Sequence, residues 1–387
     1  MTRDHNNAND VLETLADLIS INSVNPEWGG PGEREVAEYV SRFFQQCDVT
    51  TWTEEVLPGR FNVYAKLPGK NANQRVVLEA HMDTVSTLGM SMPPFEPVRN
   101  GNRIYGRGAC DVKAGLAAMM HAMREMQMSG EQPPAEVWLA AVIDEEHRYR
   151  GVLALLEQLP AGESEQQTVT IVAEPTDCRI AIANKGVLRW QVVTHGVAAH
   201  SSKPHTGRNA IIEMMKVVEL LQDDADQLTE MTHPLVGSPT LCISMIEGGR
   251  QINFVPDRCT LSLDRRLLPG ESPQAVLEHY RQMVAALPEV HVEFELPLIS
   301  DEAFDTDINA PVVQTAIQVA GIVGSESRPA GVPFGCDITK LSRAGIPGII
   351  FGPGSIDQAH AAFEYVDIDQ VIMAQQFYQN FLFEYGR

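Results

Sequence analysis

The apolar run "VVLEA" at 76–80 stops at His81-Met82-Asp83, putting an imidazole and a carboxylate where a strand should end. The same happens further along the chain. Asp111 closes the glycine-rich "YGRGACD" and opens a helical pattern, Glu145 and Glu146 follow "VWLAAVI", Glu174 follows "TIVA", and His360 lies in "GPGSIDQAH" after "GIPGIIF". In open α/β sheets ligands bind beyond the carboxyl ends of the strands, so residues at such junctions can converge. Two histidines with several carboxylates form an N/O donor set suited to borderline divalent ions such as zinc. One carboxylate can be shared by two ions, and a pair about 3.5–4 Å apart can hold a hydroxide and polarise a carbonyl. Each residue also has a plainer reading. A histidine at a strand end is commonly a hydrogen-bonded loop residue, an aspartate opening a helix is usually its N-cap, and adjacent glutamates are commonly solvated.

The elements that would position these residues are legible in the hydrophobic pattern. Val11, Leu12, Leu15, Leu18 and Ile19 keep helical spacing, as do Val36, Val40, Phe43 and Phe44. Strands are expected at 61–67 and in the run ending at 81, and a long helix from 112 that stops at Ser129-Gly130 and Pro133-Pro134. The runs at 137–143 and 168–173 are continuously apolar, as in strands covered on both faces. Strands alternating with helices predict an α/β domain, a mostly parallel mixed sheet flanked by helices. After about residue 184 the pattern becomes β-α-β-β-α-β, the ferredoxin-like order of a small separate sheet. The expected organisation is therefore 1–184 as the first part of a catalytic domain, 185–298 as an inserted domain, and 299–387 completing the first.

Bulk properties narrow the function classes. The 387 residues are 44% hydrophobic and 6% aromatic, ordinary for a globular protein with a sizeable core. With 29 Lys and Arg against 51 Asp and Glu the formal charge is -22, which argues against nucleic acid and anionic membranes as partners. Six scattered cysteines without a Cys-x-x-Cys pair read as reduced thiols. The polar start "MTRDHNNAND" has no signal-peptide core, and the apolar runs are too short to span a bilayer, so a cytoplasmic protein is expected.

The motifs "HMDT", "YGRGACDVKAG", "DEEHRYRG", "AEPT", "HSSKPHTGRNAI", "GGRQINFVPD", "LDRRLLPG" and "GPGSIDQAH" follow one another in this order. Together, from about residue 10 to the C-terminus, the chain resembles the co-catalytic zinc amidohydrolases that include acetylornithine deacetylase, succinyl-diaminopimelate desuccinylase, aminoacylase and glutamate carboxypeptidase. The resemblance implies two Zn2+ per subunit, with Co2+ as a substitute. His81, Asp111 and Glu174 would hold one ion, and Asp111, Glu146 and His360 the other. Asp83 would orient His81 through its free ring nitrogen. Glu145 would be general base and acid, its side chain diverging from that of Glu146 in an extended segment. The inserted domain would act as lid and homodimer contact. There His200 would support the oxyanion, while Asn253 and Arg266 contact substrate, Arg266 gripping a free α-carboxylate and Arg265 facing away.

The resemblance further implies hydrolysis of an N-acyl-L-amino acid. "HSSKPHTGRNAI" and "LDRRLLPG" look nearest the acetylornithine deacetylase branch, followed by the succinyl-diaminopimelate desuccinylases and then dipeptidases or carboxypeptidases. There are departures from the family pattern. Ala173 replaces a usual glycine, and Cys336 in "PFGCD" stands where Thr or Ser is common, which fits a buried structural thiol better than a nucleophile. His195, His205 and His233 have no ligand role on this reading. A non-catalytic binding protein on the same scaffold would lack the base or a ligand, whereas here Glu145 and the whole ligand set are present.

Overall fold

A computed structural model describes residues 2–159 and 167–387. The chain divides into two compact units, one of Met1–Ile182, Thr306–Ala330 and Cys336–Arg387, the other of Ala183–Asp305 with Gly331–Gly335.

The first unit is built on a sheet in which Thr50–Leu57, Arg60–Leu67, Ala135–Val142, Asn71–His81, Gln167–Val172 and Gly348–Ile350 are neighbours in that order. Asn71–His81 is parallel to both Ala135–Val142 and Gln167–Val172, and Gly348–Ile350 is parallel to Gln167–Val172. Four neighbouring strands therefore point their carboxyl ends the same way, and they precede His81, Glu145, Glu146, Glu174 and His360, whereas Asp111 follows the short strand Arg103–Tyr105 of another sheet. Every residue of Ala135–Val142 is buried, as a continuous apolar run requires. The helix Lys113–Ser129 packs on Asn71–His81 and is itself covered by the helices Thr2–Ser20 and Ile368–Glu384, so its buried positions go all the way round. Its Gly115 lies against the end of another strand: a Cβ there would come within 2.7 Å of the Ala173 Cβ. The methyl of Ala173 is thus accommodated by a glycine on the facing helix.

The edge strand Thr50–Leu57 was not legible beforehand. Three of its eight residues are exposed and none is buried, and "TTWTEEVL" offers no apolar run. A small separate sheet of Val98–Asn100, Arg103–Tyr105 and Tyr365–Asp367 was also unforeseen, its strands being too short to show a period.

The second unit follows the β-α-β-β-α-β order. Its antiparallel sheet runs Thr240–Gly248, Arg258–Leu267, Gly186–His195, Val292–Phe294, and Ile299–Asp301 also pairs with Gly186–His195. That last pairing draws the chain beyond residue 298 into this unit. Two helices, Ala210–Gln227 and Pro273–Ala285, bury Met214, Val217, Leu221, Leu277 and Val284 against the sheet residues Leu188, Trp190 and Leu261. Their starts are set by side chains: Asn209 accepts the N–H groups of Ile211 and Ile212, and Ser272 that of Ala275. Trp190 stacks on Tyr280 with ring centroids 5.3 Å apart.

Candidate active site

The parallel register sets His81 beside Val142, and Glu79 beside Val172, so the loops that follow these strands leave the sheet together. The structure brings six of the singled-out residues to this end. His81 is buried, its Nε2 3.0 Å from Asp111 Oδ1 and 3.9 Å from Glu174 Oε1. The other oxygen of Asp111 lies 3.4 Å from His360 Nε2, which is also 3.2 Å from Glu146. Ligand atoms of His81, Asp111 and Glu146 fall within 4.8 Å of one another. Each oxygen of Asp111 thus faces a different imidazole, which is the disposition a carboxylate shared between two cations requires. Glu145 is buried beside this group.

Two expectations about local geometry need correcting. Glu145 and Glu146 do not sit in an extended segment. Asp144 adopts a left-handed φ of 66°, and its carbonyl accepts the N–H groups of Arg148 and Tyr149, so the pair occupies a turn. Asp83 approaches His81 chiefly through its backbone carbonyl, 3.0 Å from Nδ1, with its carboxylate further off at 3.6 Å. The carboxylate instead accepts the N–H groups of Glu145 at 3.1 Å and Glu146 at 3.3 Å.

The electrostatics describe a buried excess of acid. Burial, then the neighbouring carboxylates, pushes Glu145 and Glu174 well above the usual carboxylate range, and burial takes Glu146 up to about 7. Burial works against the charge on Asp111, yet hydrogen bonds from His360 and His81 hold its carboxyl below the usual range. Hydrogen bonds to Asp111 and Glu146 push His360 up to about 10. Burial opposes protonation of His81 too, but Asp111 and Asp83 more than offset it. Hard oxygen and imidazole donors with surplus negative charge fit divalent cations.

Several supporting residues escaped the sequence reading. Asn25 donates to Asp83 at 2.8 Å and to Asp144 at 3.0 Å, while Arg60 pairs with Glu33 and Asp144. Nothing in their local sequence marks them. Glu79 did carry a signal, being a charge inside an apolar run, two places before His81 and on the same side of the strand. Glu79 and Asp337 are both buried, and among the described residues no donor reaches their oxygens. Burial raises both, Asp337 to about 7, and the charge of Asp337 adds to the rise at Glu79. Cys336, next to Asp337, is buried with its thiol pushed up by burial, which suits a structural thiol.

The remaining candidates belong to the second unit. His200 is exposed, its Nδ1 2.8 Å from Ser202 Oγ, and the Asn253 carbonyl accepts the Ser201 N–H at 3.0 Å, so His200 and Asn253 share one loop contact. Arg266 lies apart on Arg258–Leu267, its Nε donating to Asp264 at 2.9 Å. Its neighbour Arg265 points the other way and is buried against Tyr280 and Glu271. His195 pairs with Glu293, and His233 with Asp305.

With this geometry in hand, known proteins offer a comparison. The family described as peptidase family M20/M25/M40 matches residues 77–384. A probable succinyl-diaminopimelate desuccinylase of Staphylococcus aureus (strain MSSA476) is 24% identical over 392 aligned positions, covering 93% of this chain and 94% of its own. Among solved structures, a tripeptidase from Staphylococcus aureus subsp. aureus Mu50 superposes with a TM-score of 0.79 at 20% identity, covering 96% of this chain and 97% of that one. A Bacillus subtilis protein described as a dinuclear metal-binding peptidase of the M20 family superposes with a TM-score of 0.73 at 17% identity, covering 98% of each chain. These superpositions speak to the fold.

Proposed function

This chain belongs to peptidase family M20/M25/M40, and from that premise we propose that it is a two-zinc hydrolase of the amide bond of N-acyl-L-amino acids. That it is a metal-dependent amidohydrolase or peptidase of this family is the common ground of its relatives. The observation that carries the finer reading is Asp111, whose two oxygens address His81 and His360 separately. In this reading His81, Asp111 and Glu174 hold one ion and Asp111, Glu146 and His360 the other, with cobalt as an acceptable substitute. Divalent ions held there would acidify a water and polarise the scissile carbonyl.

The chain's own residues do the rest. Glu145 takes a proton from the attacking water and later delivers it to the departing amine. Burial keeps its carboxyl well above the ordinary range, as a group that must both accept and return a proton near neutrality requires. Asp83 orients the Glu145–Glu146 turn and His81 together. His200 supports the developing oxyanion, and Asn253 and Arg266 bind substrate, Asp264 fixing Arg266 through Nε while its guanidinium receives the α-carboxylate.

N-acetylornithine is the substrate suggested by the motifs, and N-succinyl-diaminopimelate is the second reading, favoured by the naming of a relative that covers 93% of the chain. A hydrolysis panel with zinc or cobalt tests both, comparing these two compounds with other N-acyl amino acids and dipeptides. Preference for the succinyl compound would replace the first name and keep the chemistry. No turnover of any amide with either metal would overturn the proposal.

The inserted domain supplies a surface for a homodimer. Thr240–Gly248 is an edge strand on which Met245 and Ile246 are 57% and 54% exposed, and the adjoining helix Ala210–Gln227 exposes Ile212 and Met215 at 55% and 59%. An uncovered edge with apolar side chains is a ready site for a second copy. Replacing Met245 and Ile246 by Glu should halve the mass measured by sedimentation. A wild-type monomer would refute the dimer. Six free thiols favour a reducing, cytoplasmic setting, and among the described residues no helix is long and apolar enough to cross a membrane.

A further inference from the structure

Glu364 lies four places after His360 and is fully buried, yet it faces the Asp111 loop. One of its oxygens accepts the N–H groups of Cys110 at 2.9 Å and of Asp111 itself at 3.2 Å. The other accepts Arg107 Nη1 at 2.6 Å and the Gly108 N–H at 3.1 Å. Three converging backbone amides and a guanidinium form an anion cradle, and the anion is a side chain from another segment. The loop takes this shape because Gly106 and Gly108 have φ of 154° and 81°, which turn successive N–H groups to one side. Backbone contacts tie the same segments: the Gly106 N–H donates to the Glu364 carbonyl at 3.2 Å, and Val366 pairs with Ile104. Arg107 extends the clamp, its Nη2 donating to the Ser86 carbonyl at 2.9 Å.

We propose that Glu364 is a positioning residue that clamps the Asp111 loop to the His360 segment, fixing the distance between the shared carboxylate and the histidine at one cation site. This rests on the reading of Asp111 and His360 as ligands. Glu364 itself ligates nothing. All four lone-pair directions of its carboxylate are committed to the cradle, and a buried carboxylate with so many charge-assisted bonds is hard to displace. Glutamine has the same shape but carries N–H groups on one end. Whichever way it is turned, one end of the amide meets two donors, and one arm of the clamp opens. Residues that orient ligands in this way typically affect metal affinity or activity by 10–100-fold.

The test is a zinc titration of metal-free wild type and Glu364→Gln against a chromophoric chelator, with the visible spectrum of the cobalt-loaded proteins alongside. Wild type should take up two ions. E364Q should bind one of them roughly 10–100-fold more weakly, with an altered cobalt spectrum, while the other ion, which also has His81 and Glu174, is weakened less. If E364Q is recovered only as aggregate, Glu364→Asp takes its place: it keeps the charge, is one methylene too short to serve both arms, and should show the same loss. Unchanged affinities and an unchanged cobalt spectrum, even with a lower melting temperature, would reduce Glu364 to a stabilising residue and overturn the clamp. A wild type that binds no zinc would sink the underlying metal centre, an outcome told apart by the wild-type titration alone.

Discussion

The carboxylate of Asp83 takes the backbone N–H of Glu145 at 3.1 Å. Through that bond a residue at the end of one strand sets the turn that follows its neighbour. Burial works against the charge on Asp83, but His81 and Asn25 hold its carboxyl below the usual range, so it stays a committed acceptor. Asp83→Ala should therefore loosen the Glu145–Glu146 turn. We expect kcat to fall roughly 10–100-fold with KM little changed and zinc retained, measured by steady-state kinetics and metal analysis of the same sample. A D83A protein with wild-type kcat would show that the turn needs no such support.

Glu145→Gln isolates the proton transfer. The amide keeps the size of the side chain and removes the base, so kcat should drop about 10²–10⁴-fold while both ions remain bound. The variant should melt no lower than wild type, because a neutral amide avoids the desolvation that raises the Glu145 carboxyl. Substantial residual hydrolysis would reassign the base to another carboxyl.

How far the sequence disclosed this arrangement can be seen residue by residue. His81, Glu145, Glu146, Glu174 and His360 were visible because each follows an apolar run where a parallel strand ends, and Asp111 because it closes a glycine-rich loop at the start of a helix. The inserted β-α-β-β-α-β unit was visible because period 2 and period 3.6 alternate clearly in it. Asn25, Arg60 and Glu364 were not, since their importance comes from partners far away in the chain and their neighbours look like ordinary loop. Arg60 reaches Glu33 and Asp144 only once the sheet exists. The turn at Asp144 was misread as extended because a left-handed φ at an aspartate leaves no hydrophobic period to follow.

Removing the cations should cost stability as well as activity. Glu79, Asp111, Glu145, Glu174 and Asp337 are all buried near His81, and burial first, then repulsion from neighbouring carboxylates, raises Glu79, Glu174 and Asp337. Cations that bind the folded chain stabilise it by mass action, about 2.7 kcal/mol when present at 100 times Kd. A chelator should abolish hydrolysis and lower Tm by several degrees, and zinc should restore both. An identical melt with and without chelator would mean that these carboxylates are balanced by protons alone.

His121 offers a stability test far from the catalytic chemistry. It is fully buried on the helix Lys113–Ser129, with Nε2 2.8 Å from Thr14 Oγ1 and its ring 5.2 Å from that of Phe43. Burial, helped by Arg124, pushes its pKa down to about 3. An unfolded histidine titrates near 6.5. Between those values the unfolded chain binds a proton that the folded chain refuses, so the folded state loses ground as the pH falls through this window. The slope is about 1.4 kcal/mol per pH unit for this one group. His121→Leu removes the titration and leaves the Thr14 hydroxyl without this partner, a pH-independent cost of about 1 kcal/mol. The variant should therefore be less stable than wild type at pH 7, draw level at about pH 5.8, and be more stable at pH 4.5, as read from urea unfolding at each pH. Parallel curves for the two proteins would show that His121 is protonated as readily inside the fold as outside it.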